Sequence, residues 1–172
     1  MHYAITEPLI RFHHAILRPA WSELERPGRS RDAWQRLQPQ FLAQVLGPAF
    51  EAMCRTWAGR FADARTFGGP VQAVRRGLVP DAEARQTHEV DVVVLGEHDR
   101  ILALGEATWG SPGVHDLDRL RRVAALLAGR GHAVGDARLA LFSASGFDPA
   151  LRRRAKTDRL VLVDLERLYA GT

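Results

Sequence analysis

The chain has 172 residues, of which 46% are hydrophobic and 26% charged, as is usual for one globular domain with a core of its own. No apolar run approaches the ~20 residues that a membrane span needs. A single cysteine, Cys54, excludes both an intrachain disulfide and a zinc site with several thiolate ligands.

The formal net charge of +4 permits nucleic-acid binding without requiring it, because charge alone is a weak signal. The amino-terminal residues lack the basic-then-apolar pattern of a signal peptide, which predicts a cytoplasmic protein with no membrane association.

The first part of the chain is predicted to be helical. Residues 1–27 predict an extended entry and then a helix of about three turns that ends before Pro19, because proline disrupts a helix interior. From Asp32 to Trp57 the apolar residues follow the three-and-four spacing of an amphipathic helix, with a break or a restart at Gly47-Pro48.

The second part changes to a strand-rich pattern. Strands are predicted over 71–79, 88–96, 100–109, 137–147 and the beginning of 159–169, with helices over 115–130 and 148–156. The order of elements, helices and then β-β-β-α-β-α-β, predicts an α/β fold with a central mixed sheet of four or five strands flanked by helices. We expect residues 1–30 to form an N-terminal helical segment and residues 31–172 to form the domain.

Two carboxylates interrupt the apolar strands of this second part. Asp91 lies in the run VDVVVLG, and Glu106 lies in the run ILALGEATW. A turn centred near His98 pairs the two strands antiparallel, with Asp91 opposite residue 105, give or take one. Strict alternation of side chains puts Asp91 on the face of Val93. The two carboxylates are therefore predicted to be cross-strand neighbours.

The chemistry of this pair admits two interpretations. Neighbouring carboxylates repel each other unless one is protonated or a cation lies between them, and Mg²⁺ suits one or two carboxylates together with water and phosphate oxygens. Carboxylates at strand ends also pair commonly with arginine, and all but one of the 24 basic residues are arginine. The spacing alone favours pairing with arginine over a metal site.

Three stretches of the chain resemble a known family. They are YAITEPLIRF (3–12), GPAFEAMC (47–54) and EVDVVV…ILALGEATW (89–109). They are similar to the patterns Y-x-I-x-D-P-x-L-R-F, G-x-x-F-E-x-x-C and E-I-D-V-V-A…I-L-x-G-E-C-K-W of a C-terminal domain of unknown function in archaeal-type AAA ATPases. More widely, a helix with an acid, a hairpin with D…E-x-K, a helix and a further strand resemble the PD-(D/E)xK nuclease superfamily of type II restriction enzymes and archaeal Holliday-junction resolvases.

The resemblance implies a restriction-endonuclease-like core with a nuclease-like site. Glu51 would be the helix acid, and Asp91 and Glu106 would hold Mg²⁺ or Mn²⁺. Thr108 would stand at the position of the catalytic lysine, which in active members helps to orient and deprotonate a metal-activated water. Threonine is not a cation. The resemblance therefore implies a DNA-associated domain, either a phosphodiesterase with a degenerate site or, as the substitution favours, a domain that does not cleave.

The chain lacks other parts of those ATPases. It has no G-x-x-x-x-G-K-[ST] phosphate loop, since Ala155 precedes its one lysine. Family members carry an ATPase module and a winged helix before this domain, so we expect Phe12, Ile16 and Trp21 to contribute to an exposed apolar patch. Such a patch predicts a homodimer or docking on an ATPase or winged-helix partner, and a non-enzymatic docking module is the alternative function.

A basic run follows late in the chain. Its two interpretations, a patch that contacts DNA phosphates and a solvated helix face, are equally compatible with the sequence. The residues of this run assigned to nucleic-acid binding are Arg152, Arg153, Arg154 and Lys156.

Overall fold

The computed structural model describes residue 5 and residues 7–157 and 159–170. The chain divides into two compact units, Met1–Phe50 and Glu51–Thr172. The sequence predicts the boundary after residue 30, whereas the first unit extends further, because Leu37 and Val45 share one buried apolar cluster with Ile16 and Ala20. No helix in the described ranges is long and apolar enough to cross a membrane.

The first unit is made of helices that follow one another closely. Helix α1 (Pro8–Phe12) passes through a π-helical turn into α2 (Arg18–Leu24). The predicted helix end before Pro19 is wrong, because the chain stays helical from Pro8 to Leu24 and Pro19 closely follows the π-helical turn. The extended entry that the sequence predicts falls largely on residues 1–4 and 6, outside the described ranges.

The break or restart predicted at Gly47-Pro48 is a change of helix type in the structure, and the helical backbone is not interrupted there. Helix α3 (Ser30–Phe41) passes through a second π-helical turn into α4, which begins at Gly47 and ends at Arg60. A Cβ atom on Gly47 would lie 3.1 Å from the carbonyl oxygen of Leu42, closer than most such contacts, so the join favours glycine.

The second unit contains a five-stranded mixed sheet, as the sequence predicts. Its strands lie side by side in chain order, with the β1–β2 and β2–β3 pairs antiparallel and the β3–β4 and β4–β5 pairs parallel. The strands are β1 (Ala73–Asp81), β2 (Gln86–Leu95), β3 (Ile101–Thr108), β4 (Arg138–Ser143) and β5 (Leu160–Asp164). The helices are α5 (Ala64–Phe67), α6 (Val114–Gly129), α7 (Pro149–Thr157) and α8 (Leu165–Ala170).

Helices cover both faces of this sheet. Leu117 and Leu120 of α6 pack with Leu141 of β4 in a buried cluster on one face. Phe142, the next residue of β4, points to the other face, where its ring centroid lies 6.0 Å from that of Trp57 in α4. Strands β2, β3 and β4 are largely buried and are nearly continuous apolar runs, so a carboxylate within them needs a partner.

Two local differences from the sequence expectation concern the ends of elements. The strand predicted over 137–147 ends at Ser143, whose hydroxyl contacts the carbonyl oxygen of Gly146 at 2.8 Å and so closes a turn. The short helix α5 was not expected. It begins after Asp63, whose carboxylate accepts a hydrogen bond from the amide of Arg65.

Candidate functional site

A β-bulge in β2 sets the direction of Asp91. Arg75 pairs with Val93 and Gly77 pairs with Val90, so two steps along β1 correspond to three along β2. The extra residue interrupts the alternation of side chains between Val90 and Val93. The shared face predicted for Asp91 and Val93 from strict alternation is therefore wrong.

The Asp91 side chain is held by the neighbouring strand. It is 7% exposed, and its Oδ2 atom accepts a hydrogen bond of 2.9 Å from the amide of Ala107. Its own carbonyl oxygen accepts a second bond of 2.9 Å from Nη1 of Arg55. Val92 pairs with Gly105, which brings Asp91 level with Glu106, within the predicted range of registers.

Glu106 is paired with an arginine. Its carboxylate forms an ion pair with Arg119 of α6, and Arg119 also donates a hydrogen bond of 3.2 Å to the carbonyl oxygen of Glu89. Burial and then the charge of Asp91 raise the pKa of Glu106 by more than Arg119 lowers it, and Asp116 raises it further, to about 8. A further cation beside Glu106 would therefore favour its ionised form.

The charge of Asp91 also affects the pKa of Glu51 in α4. Its carboxylate lies 3.7 Å from Nη1 of Arg55, one helical turn further on. Burial and then the charge of Asp91 raise the Glu51 pKa, against smaller opposite effects of Arg55 and Arg76. Asp91 therefore raises the pKa of two glutamates that come from different elements, and it is the electrostatic centre of the acidic site.

Thr108 closes β3 and contributes no charge. Its hydroxyl oxygen accepts a hydrogen bond of 3.2 Å from the amide of Gly110, and Thr108 pairs with Ser143 of β4. The hydroxyl thus stabilises the turn that follows the strand. It does not supply the positive charge that a lysine would place there.

The donor set suits a hard divalent cation, although it is not a closed metal cage. Within the part of the chain that the structure describes, no three acidic, histidine or cysteine side chains form a metal-binding group. Two neighbouring carboxylates are sufficient for Mg²⁺ or Mn²⁺, which complete their coordination with water and phosphate oxygens. The pairing of Glu106 with arginine is observed, and the metal site at Asp91 and Glu106 stays a prediction.

The basic run lies on a different element from the acids. Arg152, Arg153 and Lys156 are exposed on α7, whereas Arg154 is half-buried. Nε of Arg152 donates a hydrogen bond of 3.2 Å to the carbonyl oxygen of Phe147. The helix connects β4 to β5, while the acids lie on α4, β2 and β3.

Sequence reasoning did not assign an arginine partner to any of these acids. Arg55 could have been found, because it follows Glu51 by four residues on a predicted helix. Arg76, which forms an ion pair with Glu89, depends on the bulged register, and Arg119 depends on how α6 packs on the sheet. Neither contact has a local signal in the sequence.

No family model, curated protein or solved structure matches the chain.

Proposed function

We propose that this chain is a nuclease-like, nucleic-acid-associated domain that binds a divalent cation at Asp91 and Glu106 and a phosphodiester through that cation. One observation carries the proposal: the register of β2 and β3 brings Asp91 level with Glu106, and the charge of Asp91 raises the pKa of both Glu106 and Glu51. A carboxyl group whose pKa is raised by a neighbouring carboxylate lies in a negative potential, which a hard cation would satisfy.

The arrangement of elements supports the same proposal. The acids lie on adjacent antiparallel strands, β2 and β3, and β3 is followed by α6 and by the parallel strand β4. This is the order that the resemblance to the PD-(D/E)xK superfamily implies, with Glu51 on the preceding helix. The likeness of topology favours a nuclease-like site over an acid pair of purely structural use.

The protein residues have separate roles in the proposed site. A bound Mg²⁺ or Mn²⁺ would neutralise phosphate charge and acidify water. The bond from the Ala107 amide fixes the carboxylate of Asp91 before a ligand arrives. Glu106 must release its proton to act as a ligand, which couples binding to pH. Arg119 positions Glu106 but does not accept a proton from water, because arginine stays charged.

Thr108 decides between cleavage and binding. Its hydroxyl oxygen accepts a hydrogen bond from the amide of Gly110, and the side chain provides no positive charge to orient a water nucleophile. We therefore propose that the site binds phosphodiesters in the presence of metal and hydrolyses them poorly. Fold similarity does not fix activity, so this assignment depends on the residues at the site.

The test is DNA binding by fluorescence anisotropy with linear, single-stranded and branched substrates in Mg²⁺, in Mn²⁺ and in EDTA. Asp91→Asn should reduce the metal-dependent affinity at least about 10-fold, since the loss of even an outer-shell partner costs that much. Asp118→Asn is the matched control, because Asp118 is exposed and pairs with Arg121. Two results would contradict the metal site. One is a wild-type affinity for DNA that is the same in EDTA as in Mg²⁺, and the other is an Asp91→Asn variant with the affinity of the wild type.

Cleavage is measured in the same samples. The expected result is little or no product from any of the three substrates at micromolar protein. Metal-dependent cleavage that disappears in Asp91→Asn would retain the site and refute the assignment of Thr108 as the cause of inactivity.

A docking module is the second candidate function, and an exposed apolar surface in the first unit favours it. Leu9 is 71% exposed and Trp21 is 52% exposed, and a groove beside Leu9 is lined by Phe12 and Trp34. Ile16 is buried, so the predicted patch is wrong in that member. Analytical ultracentrifugation of the wild type and Leu9→Glu tests self-association, and a wild-type monomer at every concentration would contradict the homodimer.

A further inference from the structure

A second polar pocket lies at the opposite end of β3 from Glu106. It has a volume of about 690 Å³ and opens beside the first residues of the three parallel strands, Ile101, Arg138 and Leu160. Volumes of roughly 300–1,000 Å³ are typical of pockets for small ligands. The pocket therefore has the size of a ligand site, and its position separates it from the acids.

Three arginines and one carboxylate line this pocket. They are Arg100, Arg138, Arg159 and Asp136. Nη1 of Arg159 donates to Asp136 at 2.8 Å, but both side chains are largely exposed, so solvent weakens the pair. Arg159 and, to a smaller extent, Arg100 lower the pKa of Asp136. One carboxylate beside three guanidinium groups leaves an excess of positive charge.

Two of these arginines, Arg138 and Arg100, have guanidinium N–H donors that no other residue of the described ranges uses. Nη1 of Arg138 donates to the carbonyl oxygen of Thr66 at 3.0 Å, which anchors the group and leaves its other N–H donors available. The Arg100 side chain forms no hydrogen bond or ion pair with another residue of the described ranges. Its guanidinium is thus available to a ligand.

The turn after α5 packs against both guanidinium groups. Gly68 adopts φ +80°, and a Cβ atom there would lie 3.5 Å from Nε of Arg138. A Cβ atom on Gly69 would lie 3.5 Å from Nη2 of Arg100. Both are ordinary van der Waals distances, so the turn lies directly against these arginines where they line the pocket.

The rest of the lining is apolar. Phe67, Ile101 and Leu102 are among its apolar residues, and an apolar lining can accept a flat or hydrophobic group. Guanidinium groups bind phosphate oxygens with paired hydrogen bonds, and they do so better than lysine. The combination of several arginines with an apolar lining matches a ligand that joins a phosphate to a ring.

We propose that this pocket binds a phosphate monoester attached to a flat apolar group, with a mononucleotide as the simplest ligand of that class. The same chemistry occurs at the phosphorylated end of a nucleic-acid strand. The pocket shares no residue with the acidic site, so the inference stands whether or not Asp91 and Glu106 hold a metal.

The experiment is isothermal titration calorimetry of the whole chain in phosphate-free buffer. The titrants are adenosine 5′-monophosphate, adenosine, inorganic phosphate, and an oligonucleotide with either a 5′-phosphate or a 5′-hydroxyl. We expect the monophosphate to bind at least about 10-fold more tightly than adenosine, because charged hydrogen bonds are lost without the phosphate. A preference for the 5′-phosphorylated oligonucleotide over the free nucleotide would identify a strand end as the source of the phosphate.

Three variants make the test specific to the pocket. Arg100→Gln should weaken binding of the monophosphate about 10-fold and leave folding intact, since no observed side-chain hydrogen bond is lost. Arg159→Gln, at an exposed position, is the second variant in case the first is poorly folded. Arg60→Gln, exposed at the end of α4, is the control and should bind as the wild type does.

Equal affinity for adenosine and its monophosphate would overturn the proposal. So would the absence of binding by any of the phosphate compounds, or wild-type affinity in both folded pocket variants. Circular dichroism and thermal unfolding of each variant separate a loss of binding from a loss of structure.

Discussion

The two ends of β3 differ in charge and in burial. Acidic side chains are in excess at the carboxyl end, and arginines are in excess at the amino end. At the carboxyl end, the side chain of Glu106 is 17% exposed and that of Arg119 is 31% exposed. At the amino end, Arg159 is 66% exposed and Asp136 is 89% exposed. Burial therefore decides how each region handles its excess. At the carboxyl end burial raises the pKa of Glu106, whereas the exposed arginines at the amino end remain charged and are available to an anion.

The largest effect is expected where an ion pair is removed from the buried end. Arg119→Ala removes the ion pair with Glu106 and the hydrogen bond to the carbonyl oxygen of Glu89, and it should destabilise the protein by about 2 kcal/mol. Arg159→Ala removes an exposed pair at the other end and should change stability by less than about 0.5 kcal/mol. Urea unfolding at pH 7 measures both, and equal losses would refute the contrast in burial.

The pH dependence of stability should differ in sign between the two ends. The folded protein keeps the proton of Glu106 up to a pKa of about 8, while the unfolded chain releases it near 4.5. Stability attributable to this group is therefore complete below pH 4.5 and is lost as the pH rises to 8, by at most about 1.4 kcal/mol per pH unit. Glu106→Gln should remove this slope in urea titrations between pH 5 and 8.

Asp136 provides the control for that slope. Arg159 lowers its pKa, so any stability it contributes is present above its ordinary value of 3.8 and is lost only at more acid pH. Asp136→Asn should leave the slope between pH 5 and 8 unchanged. An unaltered slope in Glu106→Gln would show that another group causes it.

A smaller effect tests the coupling within the acidic site. Asp91→Asn removes the second cause of the raised Glu106 pKa and should lower that pKa by about 1 unit. Asp116→Asn should lower it less, since Asp116 acts after both Asp91 and Arg119. Titration of the Glu106 side-chain carboxyl by NMR measures both shifts. A larger shift of the Glu106 pKa in Asp116→Asn than in Asp91→Asn would contradict the assignment of Asp91 as the electrostatic centre of the acidic site.

Local patterns explain which parts of the fold could be predicted. The strands, the turn near His98 and the neighbouring positions of Asp91 and Glu106 follow from alternation and turn residues, all within short stretches. The bulge opposite Gly77 could not be predicted, because it is a property of two paired strands. The helix that continues through Pro19 shows that a proline just after a π-helical turn resembles a helix end in sequence.

The sites differ in the same way. The acidic pair is visible because its members interrupt apolar runs, while the contacts of Arg119 depend on how α6 packs on the sheet. The arginine pocket has no local signal, since Arg100, Arg138 and Arg159 come from three separate strand beginnings. Only the parallel order of β3, β4 and β5 brings these arginines together at the amino ends of the three strands.

The smallest expected effect concerns which cationic surface of the protein contacts duplex DNA. If the exposed face of α7 contacts phosphates, Arg153→Gln should reduce the slope of log affinity against log salt by about 0.9 and weaken binding equally for different sequences. Arg100→Gln should leave the duplex slope unchanged, because the pocket is proposed to take a phosphate monoester and internal phosphates of a duplex are diesters. Anisotropy titrations over a range of salt concentrations measure the slope, and an unchanged slope in Arg153→Gln would identify the α7 residues as an ordinary solvated helix face. A reduced slope in the Arg100 variant instead would place duplex DNA along the amino ends of the parallel strands, and the two ends of β3 would then contact the same ligand.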